Sequence, residues 1–460
     1  MRILQVSTYD QGGGAEAIAW QLFEEYRRLG HRSMMIVGEN HGNDKDVVPL
    51  SCAADSGSFG QWSHALSRRL FFYEGRVRGA WRLRRWLQAY AAHPPTWWQA
   101  SLGMENFNFP ETWKLLEIPD GSPDILHFHN LHGGWLPRGG YFDLRALPWL
   151  TRQVPAMVTL HDTWMLSGHC AYTLGCERWK TGCGNCPDLT IYPPLSRDGT
   201  AFNWKRKRDI YASSRLYVAT PSSWLMRQVE QSMLSTAVVE ARVIPNGVDH
   251  TVFAPASKDA ARELLGLSRN EKIILFVANA AKSNVFKDYK TVEEAVLRAA
   301  TRYRSQRVTA IVLGEEGESI AFENGEIRFV PFQRDRTVTA RFYQAADLYL
   351  HAAKSDTFPN TVIEALSCGL PVVATAVDGV PEQVDEGRTG FLVHAGDADA
   401  MATRAVQLLS NDALRSSMGV AAARTAARVF DLKKQAEAYL DWYEQIHASR
   451  REGGTVAYAC

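Results

Sequence analysis

Short apolar runs rich in β-branched residues recur along the chain, each ended by a Gly or polar turn and followed by a stretch of helical periodicity. RILQVST precedes GGGAEAIAWQLFEEYRRLG, and HRSMMIVG, DILHFH and AMVTLHD continue the rhythm. From about Arg242 it restarts with KIILFVANA, VTAIVLGE, IRFVPF, DLYLHAA and PVVATAV, separated by helical stretches such as TVEEAVLRAATRYRSQ. Apolar strands alternating with helices predict parallel sheets covered on both faces. Two doubly wound halves are expected, about 1–235 and 236–430, with a helix at about 431–447 crossing back to the first and a mobile tail over 448–460. Such sheets take ligands beyond the carboxyl ends of their strands, so two halves facing one another predict a cleft there.

Two stretches break the rhythm: 61–110 is rich in Arg and Trp, and 161–200 in Cys, Gly and Pro. Between Trp62 and Trp86 seven arginines stand against one acid, Glu74, and Trp62, Leu66, Leu70, Tyr73 and Val77 recur at helical spacing. That pattern suits an interfacial helix on an anionic membrane, and equally a helix packed on the first half with its arginines in water. Nucleic acid is not expected as a partner, because no recognition motif accompanies the patch. With 460 residues, 46% hydrophobic and 22% charged, at net charge +1, the composition is that of a globular protein without a global attraction for polyanions. No signal peptide or membrane-spanning run is read, so the expected place is the cytoplasm, with peripheral attachment to the inner face of the plasma membrane if the Arg-rich helix serves it.

The stretch SDTFPNTVIEALSCGLPVVAT, 355–375, carries the clearest chemistry. Pro359 pushes its predecessor out of helical geometry and Asn360 is a good N-cap, so a helix is predicted to start near Asn360 or Thr361 and to end at Gly369. The amides of Thr361, Val362 and Ile363 are then expected to open toward an anion such as a diphosphate. Glu364, one turn in, and Asp356, on the preceding loop, are suited instead to pairs of sugar hydroxyls. Two acids at this spacing are usually mere surface residues, but here they flank a helix start between two buried strands.

DTFPNTVIEALSCGLPVVATAVDGVPEQVDEGRTGFLV closely resembles the C-terminal signature of retaining GT-B glycosyltransferases of family 4. GGGAE, PDILHFHNLHGGW, VTLHD, VATPSSWL, VIPNGVD and FKDY extend the resemblance in the family's order. It implies an α/β GT-B fold and a nucleoside-diphosphate sugar as donor, with no catalytic metal. By the same resemblance Glu364 binds the ribose, Asp356 the transferred sugar, Lys287 the donor phosphates, and His161 the sugar from the other half. Asp356 stands where the family usually has Glu, and the Arg usual before Lys287 is absent, which leaves Lys282 to take its part. Gly13 and Gly14 let backbone approach a ligand closely. The implied acceptor is a saccharide, free or on polyprenyl diphosphate. An epimerase or hydrolase on the same fold, or a zinc-containing saccharide- or nucleic-acid-binding protein without turnover, are the competing readings.

Cys170, Cys176, Cys183 and Cys186 fall within 17 residues, the last two as Cys-x2-Cys on a Gly-Asn turn. Four thiolates on one ion predict a structural zinc, with His169 and His161 as competing ligands. Packed thiols or two disulfides are the other readings. Similar Cys-rich insertions occur in family members that build exopolysaccharide or O-antigen units, and the loop is placed to shape an acceptor mouth. Cys52, Cys368 and Cys460 look unpaired, with Cys368 a small buried filler.

Overall fold

The computed structural model describes residues 1–50, 66, 96–117, 121–134, 136 and 139–454. Most of the Arg- and Trp-rich segment, and with it the proposed interfacial helix, lies outside the described residues, as do Cys52 and Cys460. Two compact units emerge: one from 1–221, 225–243 and 439–460, the other from 222–224 and 244–438.

In the first unit β1 (Arg2–Tyr9), β2 (Arg32–Glu39), β3 (Val47–Pro49), β4 (Ile125–Phe128), β5 (Ala156–Thr159), β6 (Leu216–Thr220) and β7 (Val238–Val243) form one parallel sheet in the order β3-β2-β1-β4-β5-β6-β7. In the second, β8 (Lys272–Val277), β9 (Val308–Leu313), β10 (Ile320–Phe322), β11 (Gly325–Val330), β12 (Leu348–His351), β13 (Val372–Thr375) and β14 (Gly390–Val393) pair as β10-β11-β9-β8-β12-β13-β14. Among the described strands only β10 and β11 pair antiparallel. The strand order reverses between β1 and β4 in one sheet and between β8 and β12 in the other, the switch points where doubly wound sheets bind ligands.

Both faces of the second sheet are covered, which is why its strands read as unbroken apolar runs. Ile274 and Phe276 pack with Val292, Val296, Met401 and Leu408, while Ile273 and Leu275 pack with Val362, Ile363, Leu366 and Ala426. Each such side chain contributes roughly 1.5–3 kcal/mol on burial. The last helix runs Leu432–Gly454, so it takes in the first residues of the expected tail; Ala448, Arg450, Arg451 and Glu452 are good helix formers. The rest of that tail, 455–460, lies outside the described residues.

One buried charge fastens the irregular segment after β5. Lys207, on the helix Thr200–Tyr211, is fully buried, and its Nζ donates to Glu105 Oε1 (3.1 Å) and to the carbonyls of Trp164 (3.0 Å) and Ser167 (3.1 Å). The ammonium also lies 3.6 Å from the centroid of the Trp164 ring. Lys207→Met strands a shielded carboxylate and two carbonyls, so we expect a loss of about 3–5 kcal/mol. Urea unfolding at unchanged m measures it; a midpoint equal to wild type would dismiss the fastening role.

Candidate active site

Lys287 and Asp356 come from the two loops that leave β8 and β12 at the switch point of the second sheet. Those loops are laced by Asp288 N donating to Ala352 O (3.1 Å), Lys354 N to Phe286 O (2.8 Å) and an antiparallel bridge of Lys287 with Ala353. The lacing brings Lys287 Nζ onto Asp356 Oδ2. Asp356 is only 7% exposed, so this is a shielded ion pair. Its backbone is fixed from behind: Asp378 Oδ2 accepts from Asp356 N (2.9 Å) and from Ser355 Oγ. Asp378 follows β13 at φ +47, a left-handed conformation, and burial pushes its carboxyl up to about 6. Its neighbour must be glycine, because a Cβ on Gly379 would stand 2.0 Å from Thr357 O.

The helix spans Asn360–Ser367, and this changes two expectations. Asn360 is the first helical residue and not the N-cap, which is Pro359; the Asn360 Oδ1 accepts from Asn246 Nδ2 (3.0 Å). Val362 N donates to Pro359 O (3.2 Å), so that amide is not open to an anion. The expected amide set therefore loses Val362. Pro359 takes the cap position because its carbonyl, on extended backbone, accepts the first bond of the helix from Val362 N. Glu364 is partly buried; burial raises its carboxyl to about 7 against the opposing pull of Arg336, and Tyr343 OH donates to its Oε2 (3.0 Å). Lys282 lays its ammonium 3.6 Å from the centroid of the Phe329 ring, with its amide on Glu315 Oε2 (2.9 Å).

In the first unit the loops after β1, β4 and β5 carry a buried polar chain. His161 Nε2 meets His129 Nδ1 (3.2 Å), and His129 Nε2 meets the Gln5 side chain (2.8 Å). Behind it, His127 joins Thr159 Oγ1 (2.8 Å) and Tyr443 OH (2.6 Å). Burial lowers His161 to about 4 and His127 to about 3, so both rings are neutral. His132 Nε2 pairs with Asp162 Oδ2 at 2.6 Å. Gly13 caps the helix Gly14–Arg28, and a Cβ there would stand 2.5 Å from Glu16 Oε2: the glycine makes room for a buried carboxylate that folds back on it.

Sequence reasoning brought Asp356, Asn360, Thr361 and Glu364 to one strand-loop-helix unit and added Lys287 by resemblance, but gave no role to His351, Asp378, Tyr343, His129, His132, Asp162 or Glu16. HFHNLH and the HD after β5 carried a signal, an alternation of histidines at strand ends. Asp378 carried one only as the DG of a turn.

The expected zinc site is corrected. Among the described residues no group of three or more His, Cys, Asp or Glu is placed to hold a metal ion. Cys170, Cys176, Cys183 and Cys186 are free thiols. Cys183 Sγ accepts from Gly168 N (3.3 Å), and Cys186 Sγ faces His169 Nε2 (3.4 Å) and Asp188 O (3.4 Å). Burial pushes Cys170 up to about 12 and Cys183 to about 11, which favours the protonated thiol.

Residues 12–252 match the family model described as Glycosyltransferase Family 4, and 271–411 the one described as Glycosyl transferases group 1. A colanic acid biosynthesis glycosyl transferase, WcaC of Escherichia coli K12, described as putative, is 27% identical over 351 residues, 74% of this chain and 80% of that protein. A D-inositol 3-phosphate glycosyltransferase of Mycolicibacterium gilvum is 30% identical over 336 residues, 70% of each. Among solved structures, HepE of Anabaena in complex with UDP and glucose superposes with TM-score 0.61 at 16% identity, covering 96% of this chain and 99% of that one. The fold is thus that of the GT-B glycosyltransferases, an α/β protein of two parallel-dominated sheets. The chain belongs to glycosyltransferase family 4.

Glu364 gives this site a pH signature. Its carboxyl is raised from 4.5 to about 7, so between those values the folded chain keeps a proton that the unfolded chain has lost. Its contribution to stability falls as pH rises through that window and is constant above it. Glu364→Gln should therefore gain on wild type in unfolding free energy from pH 5 to pH 7 and no further by pH 8. A difference independent of pH would refute the assignment.

Proposed function

We propose that the protein transfers a sugar from a nucleoside-diphosphate sugar, with retention, to a saccharide acceptor carried on polyprenyl diphosphate. The observation that carries this reading is the Lys287 and Asp356 pair, a cation and a carboxylate shielded together beside a helix start at a switch point of a family 4 chain. Glu364 binds the ribose hydroxyls, Lys287 and the helix start at Asn360 and Thr361 hold the diphosphate, and Asp356 grips the transferred sugar. Lys282 adds positive charge toward the phosphates. The neutral His161 ring hydrogen-bonds the sugar, and the backbone at Gly13 and Gly14 lies against the ligand.

The acceptor oxygen bonds to the anomeric carbon as that carbon's bond to the diphosphate oxygen breaks, through an oxocarbenium-like transition state. The departing oxygen gathers negative charge, and Lys287 with the helix-start amide stabilises it where water is scarce. The acceptor's hydroxyl proton leaves with the diphosphate. Polymer assembly as the setting is supported by the WcaC relative, whose name places it in colanic acid biosynthesis.

Thermal unfolding with UDP, GDP, ADP or dTDP tests the donor site. One of them, at about 100 times its Kd, should stabilise the chain by about 2.7 kcal/mol, and Glu364→Ala should lose that gain. Nucleotide release from the matching sugar donor should then depend on added lipid-linked saccharide. Release that ignores the acceptor would make the protein a hydrolase, and binding without release a non-catalytic receptor.

A further inference from the structure

His351 ends β12 and is fully buried, yet neither of its ring nitrogens has a hydrogen-bond partner among the described residues. Buried polar side chains are nearly always paired, so an imidazole left in this state asks for a partner. Burial, and after it the Lys287 ammonium, lowers the ring to about 3, so it is neutral and carries one N–H. Nε2 stands 3.6 Å from Asp356 Oδ2, the oxygen that Lys287 Nζ occupies. One carboxylate oxygen thus faces two donors, and the lysine alone uses it.

Resting on the reading of this site as the donor site, we propose that His351 is a positioning residue that takes over Asp356 when Lys287 turns to the donor's diphosphate. A carboxylate this shielded cannot be left without a donor, and the imidazole N–H stands unused 3.6 Å away. A shift of roughly half an ångström brings Nε2 within hydrogen-bond range. Asp378 holds the Asp356 backbone meanwhile, so the loop keeps its place and only the partner of Oδ2 changes. Oδ1 is left for sugar hydroxyls. No proton leaves the imidazole; the ring donates a hydrogen bond that the ammonium gave before.

The device makes nucleotide affinity depend on His351 through Asp356 alone. The full chain is titrated with whichever of UDP, GDP, ADP or dTDP stabilises it, as wild type, His351→Phe, His351→Gln, Asp356→Asn and the double variant His351→Phe with Asp356→Asn. His351→Phe should weaken binding by about tenfold, because Lys287 then leaves a carboxylate with no substitute donor. His351→Gln, whose amide can donate, should recover most of that loss. In the Asp356→Asn background the same His351→Phe change should cost nothing, since no charge is stranded. Equal affinity for wild type and His351→Phe overturns the proposal, and so does a penalty that persists in the Asp356→Asn background, which marks His351 as merely structural. Should the Phe variant not fold, wild type with isotope-labelled histidine decides: the His351 Nε2 proton should move downfield on saturation with nucleotide, and a resonance that stays in place overturns the proposal. Absence of binding by all four nucleotides in wild type is a different failure, that of the donor-site reading itself.

Discussion

A carboxylate that is all but withdrawn from water must be met by a cation or by several donors, and the second unit is built around that requirement at Asp356. β8 and β12 part at the switch point, their loops are stitched together by main-chain bonds, and the stitching leaves Lys287 with nowhere better to put its charge than Asp356. The pair is not a stability device, since shielded ion pairs seldom outweigh their desolvation. It is a charge arrangement kept at cost in the place where the fold takes ligands, and a diphosphate is the anion best able to compete for the lysine.

Polar groups are buried in the first unit too, but under a different regime. His127, His129, Gln5, Thr159, Tyr439 and Tyr443 satisfy one another between the sheet and the last helix, so their burial leaves a rigid floor under His161. Networks of this kind are stable only when complete. Lys207 works in the same way for the loop after β5, replacing a hydrophobic contact with several directed bonds.

Strands buried on both faces need an unbroken apolar run, so the nine quoted strand segments were legible from composition alone. Short edge strands such as β3 and β10 carry little buried surface, hence little signal, and were not. The site divides along the same line. Asp356 and Glu364 lie in a stretch whose local grammar of strand, Pro, helix and Gly announces itself, whereas Lys287, in the loop after β8, was reached only through the family resemblance of FKDY. Asp378 and Tyr343 reach the site from other elements, so only the folded chain joins them to it. The N-cap was misplaced by one residue because the Pro359 carbonyl accepts the first helical bond, while the Asn360 side chain turns to Asn246. The cysteines show the limit of spacing as an argument: a Cys-x2-Cys turn offers two sulfurs to an ion, but the directions of the remaining side chains are set by loop hydrogen bonds that spacing does not encode.

The account stands or falls with where a nucleotide puts its phosphates. A crystal structure of the chain soaked with the nucleoside diphosphate that stabilises it best is the most direct measurement. The predicted result has Lys287 Nζ on a phosphate oxygen and the ribose hydroxyls on Glu364. A nucleotide bound elsewhere, with Lys287 still on Asp356 and Glu364 still on Tyr343, would contradict it.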